Sequence, residues 1–197
     1  MKDDEWVAGL TAVEGADGPN FIAVALYSGK ISLYDSSLGS LLSFSTGEDP
    51  LKAIKVLAGK QDNSYYCISG GMGEELKLHL LTGDKAVNQA RHLTTNTHLG
   101  SVQTIAVSPG IDELFVTGGD EGVLNLWSIP QDIEEMAKHS ALKQKKKKKE
   151  LSVGTVSLSS SYQVHEGSIE CLEWLNDHEV ISGSSQHCMQ ITNVSNG

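Results

Sequence analysis

The sequence has no long hydrophobic run. No stretch reaches the roughly eighteen consecutive apolar residues that a membrane-spanning helix requires. The acidic opening, Met1-Lys2-Asp3-Asp4-Glu5, is unlike a secretory signal peptide. We therefore expect a soluble intracellular protein without membrane contact.

Cysteine is also scarce. Cys67, Cys171 and Cys188 are odd in number, widely separated and surrounded by strand-forming residues, which favours neither a disulfide framework nor a paired zinc site. His178, His187 and Cys188 are the densest set of potential ligands, yet they lack the paired spacing of zinc sites. The sequence predicts no metal and no other cofactor.

Basic residues are few outside one segment. The chain has a net charge of −10, and removing the six lysines of residues 143–149 leaves −16. The acidic remainder argues against broad nucleic-acid binding by the folded surface. The lysines can contact phosphates, act as a nuclear-import signal or form a merely solvated loop; they are Lys143, Lys145, Lys146, Lys147, Lys148 and Lys149. No aromatic residue lies among them, so any RNA contact would be to the backbone.

The segment His98–Trp127 is rich in strand and turn signals. It contains three β-like runs, separated by Ser108-Pro109-Gly110 and by the cluster Gly118-Gly119-Asp120-Glu121-Gly122. Four of its side chains can hydrogen-bond across a sheet: His98, Thr117, Asp120 and Trp127. We expect Trp127 to donate to Thr117, Thr117 to His98, and His98 to Asp120. This set is interpreted as structural, because no nucleophile or oxyanion donor accompanies it.

The pattern recurs four times. Small-residue turns precede Tyr34, His79, Trp127 and Thr192 at similar spacings. Repeats of about 45 residues with four short strands each are typical of WD-repeat β-propellers. The sequence therefore predicts an all-β fragment with about three and three-quarter blades of a probable seven, at residues 6–46, 51–93, 98–164 and 165–197. A charged, disordered insertion is predicted at 130–151. Because an open arc leaves sheet surfaces uncovered, the fragment is also expected to self-associate.

Several motifs support a narrower comparison. An acidic-then-basic insertion follows Leu126-Trp127-Ser128, and His165-x-x-x-Ile169 then leads into Leu172-x-Trp174. The chain opens with Asp3-Asp4-Glu5-Trp6-Val7. With these features the sequence resembles the WD-repeat subunit of the nucleolar complex that contains pescadillo and block-of-proliferation proteins, a seven-bladed family.

The resemblance implies a function. It predicts a non-enzymatic scaffold in large ribosomal subunit biogenesis, located in the nucleus and nucleolus, with pescadillo-type and block-of-proliferation-type partners and possible pre-rRNA backbone contact. Two alternatives stay open. One is a WD-repeat adaptor of another pathway, such as substrate recruitment to a ubiquitin ligase, in the nucleus or the cytoplasm. The other is a propeller hydrolase, for which the sequence offers no motif.

Overall fold

The regular elements that the structure describes over their whole length are β-strands. The computed structural model describes residues 5–13, 21–47, 49–59, 63–83, 87–111, 113–133 and 156–194, and these ranges contain fifteen strands. No helix in the described part of the chain is long and apolar enough to cross a membrane.

The strands form four antiparallel sheets, each built from strands consecutive in the chain. Blade 1 contains β1 Val7–Val13, β2 Phe21–Leu26, β3 Lys30–Asp35 and β4 Ser40–Ser45. Blade 2 contains β5 Leu51–Ala58, β6 Ser64–Gly71, β7 Glu75–Thr82 and β8 Gln89–Thr97. Blade 3 contains β9 Val102–Val107, β10 Leu114–Gly119, β11 Val123–Ser128 and β12 Ser157–Gln163. Blade 4 contains β13 Ile169–Asn176, β14 Glu179–Ser184 and β15 Met189–Asn193.

Burial differs between the middle and the outer strands of a blade. Every residue of β6 and β10 is buried, because neighbouring blades cover both faces of these sheets. Their sequences are accordingly apolar or small throughout. The outer strand β12, with the sequence SLSSSYQ, is mostly exposed. The position of a strand within its blade therefore determines whether it needs apolar and small residues or can carry polar ones.

Three apolar clusters join consecutive blades. Between blades 2 and 3, Tyr66 and Leu78 belong to the same cluster as Val102, Phe115 and Trp127. A second cluster joins blades 1 and 2, and a third joins blades 3 and 4. Each large side chain buried there contributes about 1.5–3 kcal/mol relative to an exposed position. The core is thus divided among the joints between blades.

The four blades form an arc. Strand β1 packs beside β5, β5 beside β9, and β9 beside β13, whereas β13 does not pack in this way against β1 within the described residues. The all-β propeller prediction is confirmed, and the arrangement fits a fragment of a larger propeller.

Blade 4 has three described strands, and its last strand is mostly exposed. No described strand pairs with the outer edge of β15, where Met189 and Ile191 are 81% and 57% exposed. In β11, the corresponding strand of blade 3, Leu124 and Leu126 are fully buried. Self-association through such surfaces stays a prediction. Residues 134–151 of the predicted insertion lie outside the described part of the chain, whereas residues 130–133 are described and Ile133 is buried in the cluster between blades 2 and 3.

Glycines bring neighbouring blades into close contact. A Cβ atom at Gly70 would lie 2.7 Å from Cβ of Val102, and one at Gly118 would lie 2.7 Å from Cγ2 of Ile169. In both places a glycine near the end of the second strand of one blade, β6 or β10, faces the first residue of the first strand of the next blade, β9 or β13. The absence of a side chain here lets the blades approach.

We predict that Gly118→Ala destabilises the protein by about 1–3 kcal/mol, because the added methyl overpacks the joint with Ile169. Urea-induced unfolding measures the change. Gly183→Ala is the matched control: its methyl would approach only Sγ of the exposed Cys171 within blade 4, so its effect should stay within about 0.5 kcal/mol. Equal stability of the two variants would contradict close packing between blades 3 and 4.

Candidate functional site

A buried hydrogen-bond network connects the strands of blade 3. Nε1 of Trp127 donates to Oγ1 of Thr117 at 2.8 Å, and Oγ1 of Thr117 lies 3.0 Å from Nε2 of His98. All three side chains are buried. The geometry joins the segment before β9 to β10 and β11, in the order that the sequence analysis expects.

Asn125 extends this network. Its Nδ2 lies 3.0 Å from Nε2 of His98, and its Oδ1 accepts a hydrogen bond from the Ser161 hydroxyl of β12. The sequence analysis missed this residue. The available signal was a lone amide in the apolar strand Val123–Ser128, because a polar residue buried in such a run requires partners.

The carboxylate beside His98 is that of Glu121, and the expected bond from His98 to Asp120 is therefore corrected. Nδ1 of His98 lies 3.2 Å from Oε1 of Glu121. Asp120 instead accepts a hydrogen bond from the Ser101 backbone N–H at 3.0 Å. The Asp120 backbone N–H also donates to the Ser101 carbonyl, which holds its short side chain at Ser101, while the longer Glu121 side chain reaches the imidazole.

Burial governs ionisation in this network. Desolvation lowers the pKa of His98, against smaller opposing effects from a backbone hydrogen bond with Gly100 and from the Asp120 charge. Desolvation also raises the pKa of Glu121, and the adjacent Asp120 contributes in the same direction. The site thus favours a neutral imidazole that accepts at Nε2 and faces the carboxylate at Nδ1. His98, Thr117, Asn125 and Trp127 hydrogen-bond to one another and hold the strands together, whereas neither carboxylate oxygen of Glu121 has a hydrogen-bond partner in the described structure.

The other blades carry incomplete versions of the network. In blade 4, Nε2 of His165 lies 2.8 Å from Oγ of Ser182, but Thr192, at the position of Trp127, has no hydrogen-bond partner for Oγ1 among the described residues. In blade 2, Ser69 and His79 occupy the positions of Thr117 and Trp127. Neither Oγ of Ser69 nor Nδ1 of His79 has a partner in the described structure.

We predict that Thr117→Val lowers the free energy of unfolding by about 1–3 kcal/mol, because the buried Trp127 N–H loses its acceptor. Thermal or urea unfolding tests this. Ser69→Ala is the equivalent change in blade 2, and it should stay within about 0.5 kcal/mol of wild type or stabilise slightly, since it removes an unpaired buried hydroxyl. The network interpretation fails if both variants lose equal stability.

Among the described histidines, His79 has the most strongly shifted pKa. It is 4% exposed and lies between the rings of Phe44 and His92, at centroid distances of 5.1 and 5.0 Å. Burial lowers the pKa of His79 to about 4, and the charges of His92 and Lys77 add to the shift. Protonation of this ring is therefore unfavourable in the fold.

We predict that acid weakens the fold through His79. Its pKa rises from about 4 in the fold to its ordinary value of 6.5 on unfolding, so its stabilising contribution is complete above pH 6.5 and is lost as pH falls toward 4. At pH 5 the loss should be on the order of 2 kcal/mol. Thermal unfolding from pH 7.5 to 5 should therefore be less pH-dependent for His79→Phe than for wild type. Parallel profiles would contradict this assignment.

One turn position can be compared directly in all four blades, because the same backbone hydrogen bond forms in each. The donor is the backbone N–H of the first residue after the second strand of the blade. The acceptor is the backbone carbonyl of the residue just before the first strand, at 2.9–3.2 Å. The pairs are Tyr27 with Trp6, Met72 with Pro50, Asp120 with Ser101 and Ser185 with Ser168.

In blades 1 and 2 this turn position carries large apolar side chains. The rings of Trp6 and Tyr27 have centroids 6.1 Å apart, and the Tyr27 hydroxyl donates to Sδ of Met72 at 3.3 Å. We call Trp6, Tyr27 and Met72 the turn patch. Glu5 and Ser28 line a shallow groove together with the two aromatic residues. This patch is a candidate protein-binding surface that the sequence analysis did not identify.

The remaining candidate site residues are the six lysines. Lys143 and Lys145–Lys149 lie outside the described residues, and their role stays a prediction. Among the residues that the structure describes, no group of three or more His, Cys, Asp or Glu side chains could hold a metal ion.

Comparison with known proteins gives distant relatives over the whole chain. No protein-family model matches. Two relatives, both called "Ribosome biogenesis protein WDR12 homolog", come from Drosophila erecta and Drosophila yakuba and are 23% and 22% identical over 196 residues. The matches cover 99% of this chain and 43% of each relative. The predicted resemblance is confirmed. The chain spans less than half the length of these curated relatives.

A solved structure supports the fold independently. The crystal structure of the computationally designed Ika4 protein matches with a TM-score of 0.62 at 14% sequence identity. The match covers 98% of this chain and 94% of the designed one. At that identity the likeness concerns the fold alone.

Proposed function

We propose that this chain is the propeller part of a non-enzymatic scaffold in large ribosomal subunit biogenesis. The observation that carries the proposal is the match of nearly the whole chain to two proteins named for ribosome biogenesis. In this role the propeller binds pescadillo-type and block-of-proliferation-type proteins in the nucleolus, where pre-60S particles and their pre-rRNA are assembled.

The described structure supports a binding role over catalysis. The polar residues that most resemble a catalytic group, His98 and Thr117, are buried and hydrogen-bonded to their neighbours, so a substrate could not reach them without opening the blade. The exposed turn patch, in contrast, offers aromatic area to a partner. Aromatic residues and methionine are enriched in protein interfaces.

The lysine segment supplies a second contact in this proposal. Five consecutive ammonium groups at Lys145–Lys149 can bind pre-rRNA phosphates with release of counterions. Because the remainder of the chain is acidic, this segment provides the polyanion contact, while proteins bind the propeller.

We predict that the tagged chain recovers pescadillo-type and block-of-proliferation-type proteins, together with large-subunit pre-rRNA, from nuclear extract at low salt. Replacing Lys145–Lys149 by Gln should retain the proteins and reduce both the recovered RNA and nucleolar retention, because phosphate contacts are lost. Replacing the same residues by Arg, as the matched control, should retain all three.

Other outcomes decide against parts of this proposal. Recovery of ubiquitin-ligase subunits without pescadillo-type proteins would favour the adaptor function. Unchanged RNA recovery and nucleolar retention in the Gln variant would show that the lysines form only a solvated segment.

A further inference from the structure

Blades 1 and 2 carry bulky residues at a turn position where the fold does not require them. Tyr27 and Met72 form the same backbone hydrogen bond as Asp120 and Ser185. Two short polar residues therefore satisfy this turn elsewhere in the same chain. The turn alone therefore does not explain why Tyr27 and Met72 have large side chains.

The residue opposite Tyr27 shows the same departure. Trp6 accepts the turn hydrogen bond in blade 1, where blades 3 and 4 have Ser101 and Ser168. Its side chain is 75% exposed, so most of the indole surface is not buried by the four described blades. Large apolar side chains on both sides of one turn indicate a binding surface rather than a folding requirement.

The three side chains are contiguous across two blades. Trp6 contacts Tyr27, and Tyr27 reaches Met72 through its hydroxyl. Tyr27 and Met72 remain 43% and 47% exposed. Contiguous exposed apolar area of this kind marks interaction sites, and Trp and Tyr are the residues most often found at the energetic centre of interfaces.

The charges around the turn patch define its partner. In an antiparallel blade, the turn between the second and third strands lies at the same end as the segment before the inner strand. The described carboxylates at this end are those of Glu5, Asp49, Glu74, Asp120, Glu121 and Glu166. Four of them, Asp49, Glu74, Asp120 and Glu166, are exposed.

Positive charge is sparse at the same end. No Lys or Arg occurs in the described turn residues 27–29, 72–74, 120–122 and 185–188 or in the described segments 46–50, 98–101 and 164–168. Two lysines reach this end from neighbouring strands. Lys30, at the start of β3, is paired with Glu5 at 3.1 Å, and Lys77 of β7 is paired with Glu75 at 2.8 Å and donates to the Thr46 carbonyl. The described carboxylates at this end still outnumber its lysines, and this excess of negative charge attracts cationic partners and repels nucleic acid.

We propose that the turn patch binds a protein segment that presents a bulky apolar side chain flanked by Lys or Arg residues. The apolar side chain packs on Trp6, Tyr27 and Met72, and the flanking cations lie near the surrounding carboxylates. This inference does not depend on the ribosomal role, because a basic segment of this kind would bind in any pathway that the propeller serves.

The test uses a random twelve-residue peptide library displayed on phage and selected on the immobilised full chain. Enriched peptides are synthesised, and their affinity is measured by fluorescence anisotropy at two salt concentrations. The main variant combines Tyr27→Ser with Met72→Ser. Blade 4 has a serine, Ser185, at the same turn position, so both changes should preserve the fold. Trp6→Ser, which introduces the residue found at Ser101 and Ser168, is a second variant. Leu38→Asn removes an exposed apolar side chain at the other end of blade 1 and serves as the matched control.

The expected result is enrichment of peptides that combine Lys or Arg with a bulky apolar residue. Their affinity should fall about ten-fold or more in the double variant and in Trp6→Ser, weaken with added salt, and stay unchanged in Leu38→Asn. Thermal unfolding identifies any variant that has lost its fold, and the other variant then decides.

Several results would overturn the proposal. They are enrichment of acidic or uncharged peptides, equal affinity for wild type and a folded patch variant, and failure of the wild type to enrich any peptide over that variant. A wild-type dimer in sedimentation that a patch variant dissociates would assign the surface to a second copy instead. Peptide binding without recovery of pescadillo-type proteins would leave this inference intact and contradict the proposed ribosomal function.

Discussion

Each blade is a thin sheet whose two apolar faces must be covered by other blades. This constraint explains why β6 and β10 are buried along their whole length and why the apolar clusters lie at the joints between blades. It also explains the exposed Met189 and Ile191 of β15, which lack a following strand and blade among the described residues. Stability in this arrangement depends on neighbours rather than on any single sheet.

The hydrogen-bond network adds a second level of organisation that varies along the chain. Blade 3 joins the buried side chains of Thr117, Trp127 and Asn125 by hydrogen bonds, although both carboxylate oxygens of its Glu121 lack a hydrogen-bond partner in the described structure. Blades 2 and 4 leave Ser69, His79 and Thr192 with unpaired atoms. Unpaired buried groups cost about 1–3 kcal/mol each. The repeats therefore share one backbone design but differ in the side-chain hydrogen bonds between their strands, and among the described blades the network of blade 3 is the most extended.

The fold could be predicted from sequence because its signals are local and repeated. Alternating strand residues, the turn cluster after Thr117 and the near-constant spacing to Trp127 are sufficient to identify blades. The choice between Asp120 and Glu121 as the carboxylate beside His98 could not be predicted, since it depends on the direction each side chain takes from one tight turn. Asn125 was missed because its partner Ser161 follows a long insertion. The turn patch was missed because Trp6 and Tyr27 become neighbours only when β1 pairs with β2, and Met72 joins them only when blade 2 packs against blade 1.

The glycines at the joints have a consequence for the geometry of the whole assembly. Gly70 against Val102 and Gly118 against Ile169 are two successive contacts of the same type, a residue without a side chain facing a β-branched one. The absence of a side chain at these two joints lets the inner strands of blades 3 and 4 lie close to the preceding blade, and this close approach contributes to the curvature of the arc.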